Sequence, residues 1–217
     1  MKKTCILFDL DGTLTDPFLG ITKSVQHALK HFGIVVEDLE GLRFFIGPPL
    51  RDSFMENYDL SEQQANEAIG VFREYFIPKG IYENEIYEGI TELLGELKKS
   101  GKRLIVATSK PADLAREVLR YFDIGQYFEF VAGSTMQEER TKKEEVIAFA
   151  MEQCGLTDPA ALVMVGDRRF DVEGARRFGI ESVGVLYGHG SLKELDDAGA
   201  DYIVESVSEL RELLNRI

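Results

Sequence analysis

The chain has 217 residues, enough for one core or a core plus a small inserted domain, and its 44% hydrophobic and 29% charged residues are ordinary for a globular protein. A net charge of −13 argues against a nucleic-acid polymer or an anionic membrane surface as partner. No apolar run approaches transmembrane length, the N-terminus carries charge where a signal peptide keeps its apolar segment, and Cys5 and Cys154 make no disulfide framework, so a cytoplasmic protein with reduced thiols is expected.

The first element is Cys5 to Phe8 (CILF), a continuous apolar run of the kind that a parallel strand covered on both faces requires. It runs directly into Asp9 and Asp11, followed by Gly12 and Thr13. Asp16-Pro17 reads as a helix start, with a capping carboxylate before a proline at the first helical position. Helical spacing then recurs through Phe18, Ile21, Val25, Ala28, Leu29 and Phe32, through Leu50, Phe54, Met55 and Tyr58, and through Ala65, Ala68, Ile69, Phe72 and Phe76. Ser61 and Gln64 stand at capping-box spacing before the last of these. Residues 16–81 therefore read as an all-helical insert after the first strand, with Ile46-Gly47-Pro48-Pro49-Leu50 as a rigid turn inside it.

Beyond residue 82 the pattern alternates. Strands are expected at Arg103–Ala107, Phe130–Ala132, Ala161–Val165 and Ser182–Leu186. Helices are expected between them, including one from about Lys143 and one over Asp171–Phe178. Such alternation implies right-handed crossovers and a doubly wound parallel sheet. The expected fold is α/β, with residues 1–15 and 82–217 forming a Rossmann-like core and residues 16–81 an inserted all-helical domain.

Three of these strands end in polar residues suited to one task. The first ends in Asp9 and Asp11, the second in Thr108 and Ser109, and the third in Asp167, with Asp171 four residues on. In an open α/β sheet all would share the carboxyl edge, where ligands bind. Lys142-Lys143 stands at a helix start, where the dipole favours anions rather than cations. Carboxylates gathered in one cleft repel one another, a hard divalent cation relieves that, and oxygen-only ligands point to magnesium. His27, His31 and His189 lack ligand spacing and read as surface or packing residues.

Asp9-Leu10-Asp11-Gly12-Thr13, Thr108 at a strand end, the lysine, and Gly166-Asp167 with Asp171 together resemble the four motifs of the haloacid dehalogenase superfamily, in order and each on the expected element. The helical insert is similar to that family's C1-type cap. Within the superfamily the chain looks most like the phosphoglycolate phosphatase-like group, whose members assigned as 5′-nucleotidases share a GPPL-type turn in the cap.

The resemblance implies a phosphatase. Asp9 would be the nucleophile and Asp11 the general acid and base, with Lys143 as the third-motif lysine and Lys142 as its rival. Gly12, Thr13, Thr108 and Ser109 would bind the phosphoryl group. Asp9, Asp11 (through its carbonyl) and Asp167 would hold Mg2+, with Asp171 behind them. The expected substrate is a small-molecule phosphate ester, phosphoglycolate or a nucleoside 5′-monophosphate among the choices, and a monomer is the default.

Several positions keep a plainer alternative. Asp171 also suits a helix N-cap, and Ser109 an ordinary strand end. Arg51 and Lys110 stay open between substrate contact and plain surface, Tyr187-Gly188-His189-Gly190 between a site wall and a Gly-rich turn, and Phe18, Phe44, Phe45 and Phe54 between base stacking and core. The competing activities are phosphomutase chemistry, dehalogenation (disfavoured by Asp11 and Asp167) and a non-catalytic phosphate-binding module.

Overall fold

In the computed structural model, which describes residues 2–217, β1 (Cys5–Phe8) is an interior strand. All four of its side chains are buried, as the unbroken apolar run requires. After β2 (Thr15–Asp16) come α1 (Phe18–His31), α2 (Leu50–Tyr58) and α3 (Glu62–Phe76), and then the short β3 (Glu85–Ile86). The rest alternates: α4 (Ile90–Lys99), β4 (Arg103–Pro111), α5 (Ala112–Tyr121), β5 (Phe130–Ser134), α6 (Lys143–Cys154), β6 (Leu162–Gly166), α7 (Arg169–Arg176), β7 (Glu181–Val185), α8 (Leu192–Ala198), β8 (Tyr202–Val204) and α9 (Val207–Arg216).

Six strands form one sheet in the order β5-β4-β1-β6-β7-β8, and the five pairings are parallel. This is the expected doubly wound α/β fold. Phe8 is in register with Val106 of β4 on one side and Val165 of β6 on the other, so Asp9, Ala107 and Gly166 follow at one level of the sheet. The chain order reverses beside β1, and there the carboxyl ends open a ligand crevice. Beneath it, Cys5, Leu7, Ile105, Ala107, Leu162 and Met164 pack with Val146, Ile147 and Ala150 of α6 and Ala175 of α7. Each fully buried Leu, Ile, Val or Met side chain among them contributes roughly 1.5–3 kcal/mol relative to exposure.

The chain divides into two compact units, one of Met1–Asp16 with Ile86–Ile217 and one of Pro17–Glu85. Within the helical unit α1 packs on α3. Ile21, Val25, Ala28 and Leu29 of α1 and Ala65, Ala68, Ile69, Phe72 and Phe76 of α3 are all buried. The capping box of Ser61 and Gln64 is present.

Some expected boundaries shift for identifiable reasons. Asp16 does not cap α1: it lies in β2, Pro17 takes the cap position, and no side chain bonds there. Helix α7 begins at Arg169 instead of Asp171, which is its third residue. Strand β4 continues past Ala107 to Pro111 through an irregularity in its pairing with β5. Of the four aromatics, Phe45 and Phe54 are core residues with ring centroids 4.9 Å apart, while Arg43 covers Phe18 and Phe44 stacks on Phe45.

Candidate active site

The Asp9 N–H donates to the Val165 carbonyl at 2.9 Å, which ties the first residue beyond β1 to β6. The Asp9 carboxylate turns back so that its Oδ1 accepts from the Leu10 N–H at 2.8 Å. Gly12 follows with φ +85, and a Cβ there would lie 2.3 Å from Asp167 Oδ2. Glycine is thus required twice over, for the left-handed turn and for the close approach of the Asp167 carboxylate.

Lys143, the first residue of α6, is buried and reaches three acceptors: Asp9 Oδ1 at 2.9 Å, Asp171 Oδ1 at 2.7 Å and the Ala107 carbonyl at 3.0 Å. Those two carboxylates outweigh the unfavourable helix dipole and account for a cation at this end of the helix. Burial disfavours the charged ammonium, but Asp171 and Asp9 more than offset it and hold Lys143 protonated well above the ordinary lysine range. Its neighbour Lys142 is exposed.

Asp171 has two partners of its own. Oδ1 faces Lys143, and Oδ2 accepts the Arg168 N–H at 3.1 Å. It is not the N-cap, which is Arg168, but as the third helical residue it bonds back to the cap's N–H while also serving as the lysine's counter-ion. Burial pushes its carboxyl up to about 6, with Lys143 acting against the rise and Asp9 adding to it.

Asp167 is fully buried, and its Oδ2 accepts the His189 N–H at 2.8 Å. Its Oδ1 lies 3.4 Å from Thr13 Oγ1. Burial, then the charges of Asp171 and Asp9, hold its carboxyl well above the usual carboxylate range. Carboxylate oxygens of Asp9, Asp167 and Asp171 lie within 4.8 Å of one another.

On the other side, Lys110 Nζ is 2.6 Å from Asp11 Oδ2, and both side chains are nearly buried. Thr108 is buried, with its Oγ1 accepting the Lys110 N–H at 3.3 Å. The Ser109 carbonyl accepts from Ser134 Oγ at 2.7 Å. The structure thus gathers Asp9, Asp11, Gly12, Thr13, Thr108, Ser109, Lys143, Asp167 and Asp171 within one unit.

The charges explain what this cleft can hold. Asp9, Asp11, Asp167 and Asp171 face two ammonium groups, Lys143 and Lys110, so ionising all four carboxyls would leave two buried negative charges without a counter-charge from these lysines, in keeping with the upward push on Asp167 and Asp171. Isolated buried charge is costly, and a hard divalent cation fits both the deficit and the all-oxygen donor set.

Two features were not assigned from sequence. Lys110 carried no motif weight, because its position depends on the irregular end of β4. Of the surface and packing alternatives His189 takes the second: its side chain is 1% exposed, with Nε2 3.3 Å from Asp16 Oδ1, and its N–H, which the sequence did not single out, holds Asp167. Tyr187, two residues earlier, donates its hydroxyl to the Thr13 carbonyl at 3.1 Å. The only sequence signal for this segment was its place at a strand's carboxyl end. His27 and His31 are exposed, as expected.

A family model described as haloacid dehalogenase-like hydrolase matches residues 6–185. The chain is 46% identical over 209 residues to a 5′-nucleotidase of Pseudomonas aeruginosa, covering 96% of this chain and 94% of that one. It is also 40% identical over 211 residues to the tyrosine-protein kinase PtkA of Mycobacterium tuberculosis, covering 96% of this chain and 72% of that one. A crystal structure of a predicted phosphatase from Clostridium acetobutylicum superposes with a TM-score of 0.98 at 46% identity, covering all of both chains. With most of its length so matched, the chain belongs to the haloacid dehalogenase-like hydrolase family, among the phosphatases.

Proposed function

We propose that this phosphatase is magnesium-dependent and hydrolyses a small phosphorylated metabolite, of the phosphoglycolate or nucleoside 5′-monophosphate type, through an aspartyl-phosphate on Asp9. The observation that carries this reading is the buried cluster in which Lys143 joins Asp9 to Asp171 beside Asp167, three carboxyl groups to one ammonium.

Asp9 is the nucleophile: its carboxylate oxygen forms a bond to phosphorus as the ester P–O bond breaks, and Asp11 gives its proton to the departing alkoxide. In the second half a water oxygen attacks phosphorus, Asp11 takes the water's proton, and the bond to Asp9 breaks to release inorganic phosphate. Lys143 orients Asp9 and offsets charge on the phosphoryl oxygens. Thr108, Ser109, Thr13 and the backbone of the Gly12 turn bind those oxygens. Asp9, the Asp11 carbonyl and Asp167 would hold Mg2+, with Asp171 orienting Lys143 behind them; when bound, the ion supplies Lewis-acid neutralisation of the phosphoryl group. Residues 17–85 act as the cap that selects the leaving group. The two free cysteines accord with a reducing compartment, the cytoplasm, and among the described residues no helix is long and apolar enough to cross a membrane.

The test is phosphate release from phosphoglycolate, nucleoside 5′-monophosphates, sugar phosphates and p-nitrophenyl phosphate, each with Mg2+ and with EDTA, beside Asp9→Asn. Release that needs Mg2+ and falls by about 10^4-fold or more in Asp9→Asn is the expected result. Undiminished turnover in EDTA or in Asp9→Asn would overturn the mechanism, and the best ester identifies what the cap reads.

A further inference from the structure

The carboxyl end of β4 departs from regular pairing just where the site begins. Ala107 pairs with Ala132 and Pro111 with Ser134, so four steps along β4 match two along β5. The excess residues bulge and redirect side chains, a common device beside active sites. This bulge is held from the β5 side. A Cβ on Gly133 would lie 2.6 Å from the Lys110 carbonyl and 2.9 Å from the Ala112 backbone, so only glycine lets the strands approach this closely. Ser134 Oγ donates to the Ser109 carbonyl at 2.7 Å. Within the bulge, Thr108 Oγ1 accepts the Lys110 N–H.

The side chain aimed by this construction is Lys110. Its ammonium meets Asp11 Oδ2 at 2.6 Å, with the two side chains 6% and 12% exposed. The other oxygen, Asp11 Oδ1, is buried and accepts no hydrogen bond from the described residues. The two oxygens of one carboxyl group are therefore made unequal: Oδ2 is pinned by a donor with no acceptor capacity, and Oδ1 is left to carry and exchange a proton.

We infer that Lys110 is a positioning residue for proton transfer, anchoring Asp11 Oδ2 so that Oδ1 delivers the proton to the leaving oxygen. This rests on the assignment of Asp11 as acid and base. The step balances: the Asp11 Oδ1–H bond breaks as the new O–H bond of the alcohol forms, while the ester P–O bond breaks and the P–O bond to Asp9 forms. Lys110 keeps all its protons throughout.

The leaving group separates this role from phosphoryl binding. An alkoxide needs the proton at the moment of departure, whereas p-nitrophenolate leaves without it. The quantity to measure is kcat/KM, which reports steps only as far as P–O cleavage. It would be measured for the best alkyl ester of the panel and for p-nitrophenyl phosphate, in the wild type, Asp11→Asn, Lys110→Met and Lys110→Arg, with folding checked by circular dichroism.

Asp11→Asn should lose about 100-fold more on the alkyl ester than on the aryl ester, and Lys110→Met about 10- to 100-fold more. Lys110→Arg, which keeps the ion pair, should recover part of that difference. If Lys110→Met does not fold, Lys110→Gln takes its place in the same comparison. Equal losses on both esters in the Lys110 variants, alongside a leaving-group-dependent Asp11→Asn, would overturn the inference and leave the acid–base assignment standing. An Asp11→Asn loss that ignores the leaving group would overturn that assignment itself.

Discussion

The two units of this chain treat buried polarity in opposite ways. In the unit built on the sheet, Lys3, Asp9, Asp11, Lys102, Lys143, Asp167 and Asp171 are buried charges. In the helical unit the buried polar residues are hydroxyls, Thr22, Ser24 and Ser53. Thr22 and Ser24 donate to carbonyls one helical turn back, at Phe18 and Gly20. A hydroxyl bonded within its own helix asks nothing of the rest of the fold, whereas a buried carboxylate must find a partner from another element. Charged residues of the helical unit pair at the surface, as in Lys23–Glu83 and His31–Glu67.

The largest effect expected from this contrast follows removal of a buried cation. Lys143→Met leaves Asp9 and Asp171 facing each other without a counter-charge, and should lower the unfolding free energy by about 3–5 kcal/mol in urea titrations. A loss below about 1 kcal/mol would mean that the cluster is not held together by this lysine. Phosphate release should be abolished in the same variant.

The next effect concerns pH in metal-free protein. Asp171, ordinarily near 3.8, is pushed up to about 6 by burial, against the pull of Lys143. A folded-state value above the unfolded one means that the native state binds the extra proton. Stability from this group is then full below about pH 4 and is lost as pH rises through about 6. Asp167, shifted the same way, extends the decline to higher pH. Urea midpoints in EDTA across this range should fall with rising pH, and Asp171→Asn should flatten the pH 4–6 portion. An unchanged slope in that variant would remove Asp171 as its source.

The smallest effect belongs to the helical unit. Glu67→Gln breaks the exposed pair with His31, 2.8 Å long but with both side chains about half exposed. Stability should change by no more than about 0.5 kcal/mol, since solvent screens such pairs. A larger loss would blur the distinction between the two units.

Much of the site was legible in the chain because its parts are local. Asp9-Leu10-Asp11-Gly12-Thr13 and Gly166-Asp167 each follow an unbroken apolar run, and the position of a residue just beyond a buried parallel strand follows from the run alone. Lys143 stood out because a lysine at a helix start contradicts the local dipole, and the contradiction resolves once two carboxylates arrive from other strands. Asp16 misled, because an acid before proline has the local form of a cap while the chain there is extended into β2. His189 was undervalued because ligand spacing takes account of side chains, and its contact to Asp167 is through the backbone N–H.

The sequence by itself determined the alternation of strands and helices, the helical insert, and the carboxylates that end the strands, all of which depend on periodicity and neighbours a few residues apart. Tertiary structure alone decided which lysine reaches Asp9, which oxygen of Asp11 is pinned and by what, and where the loop after β7 closes on Asp167. Those are contacts between residues 22 to 134 positions apart. Their distances are set by strand order, by the two-residue excess in β4 and by burial, none of which leaves a pattern in the residues on either side.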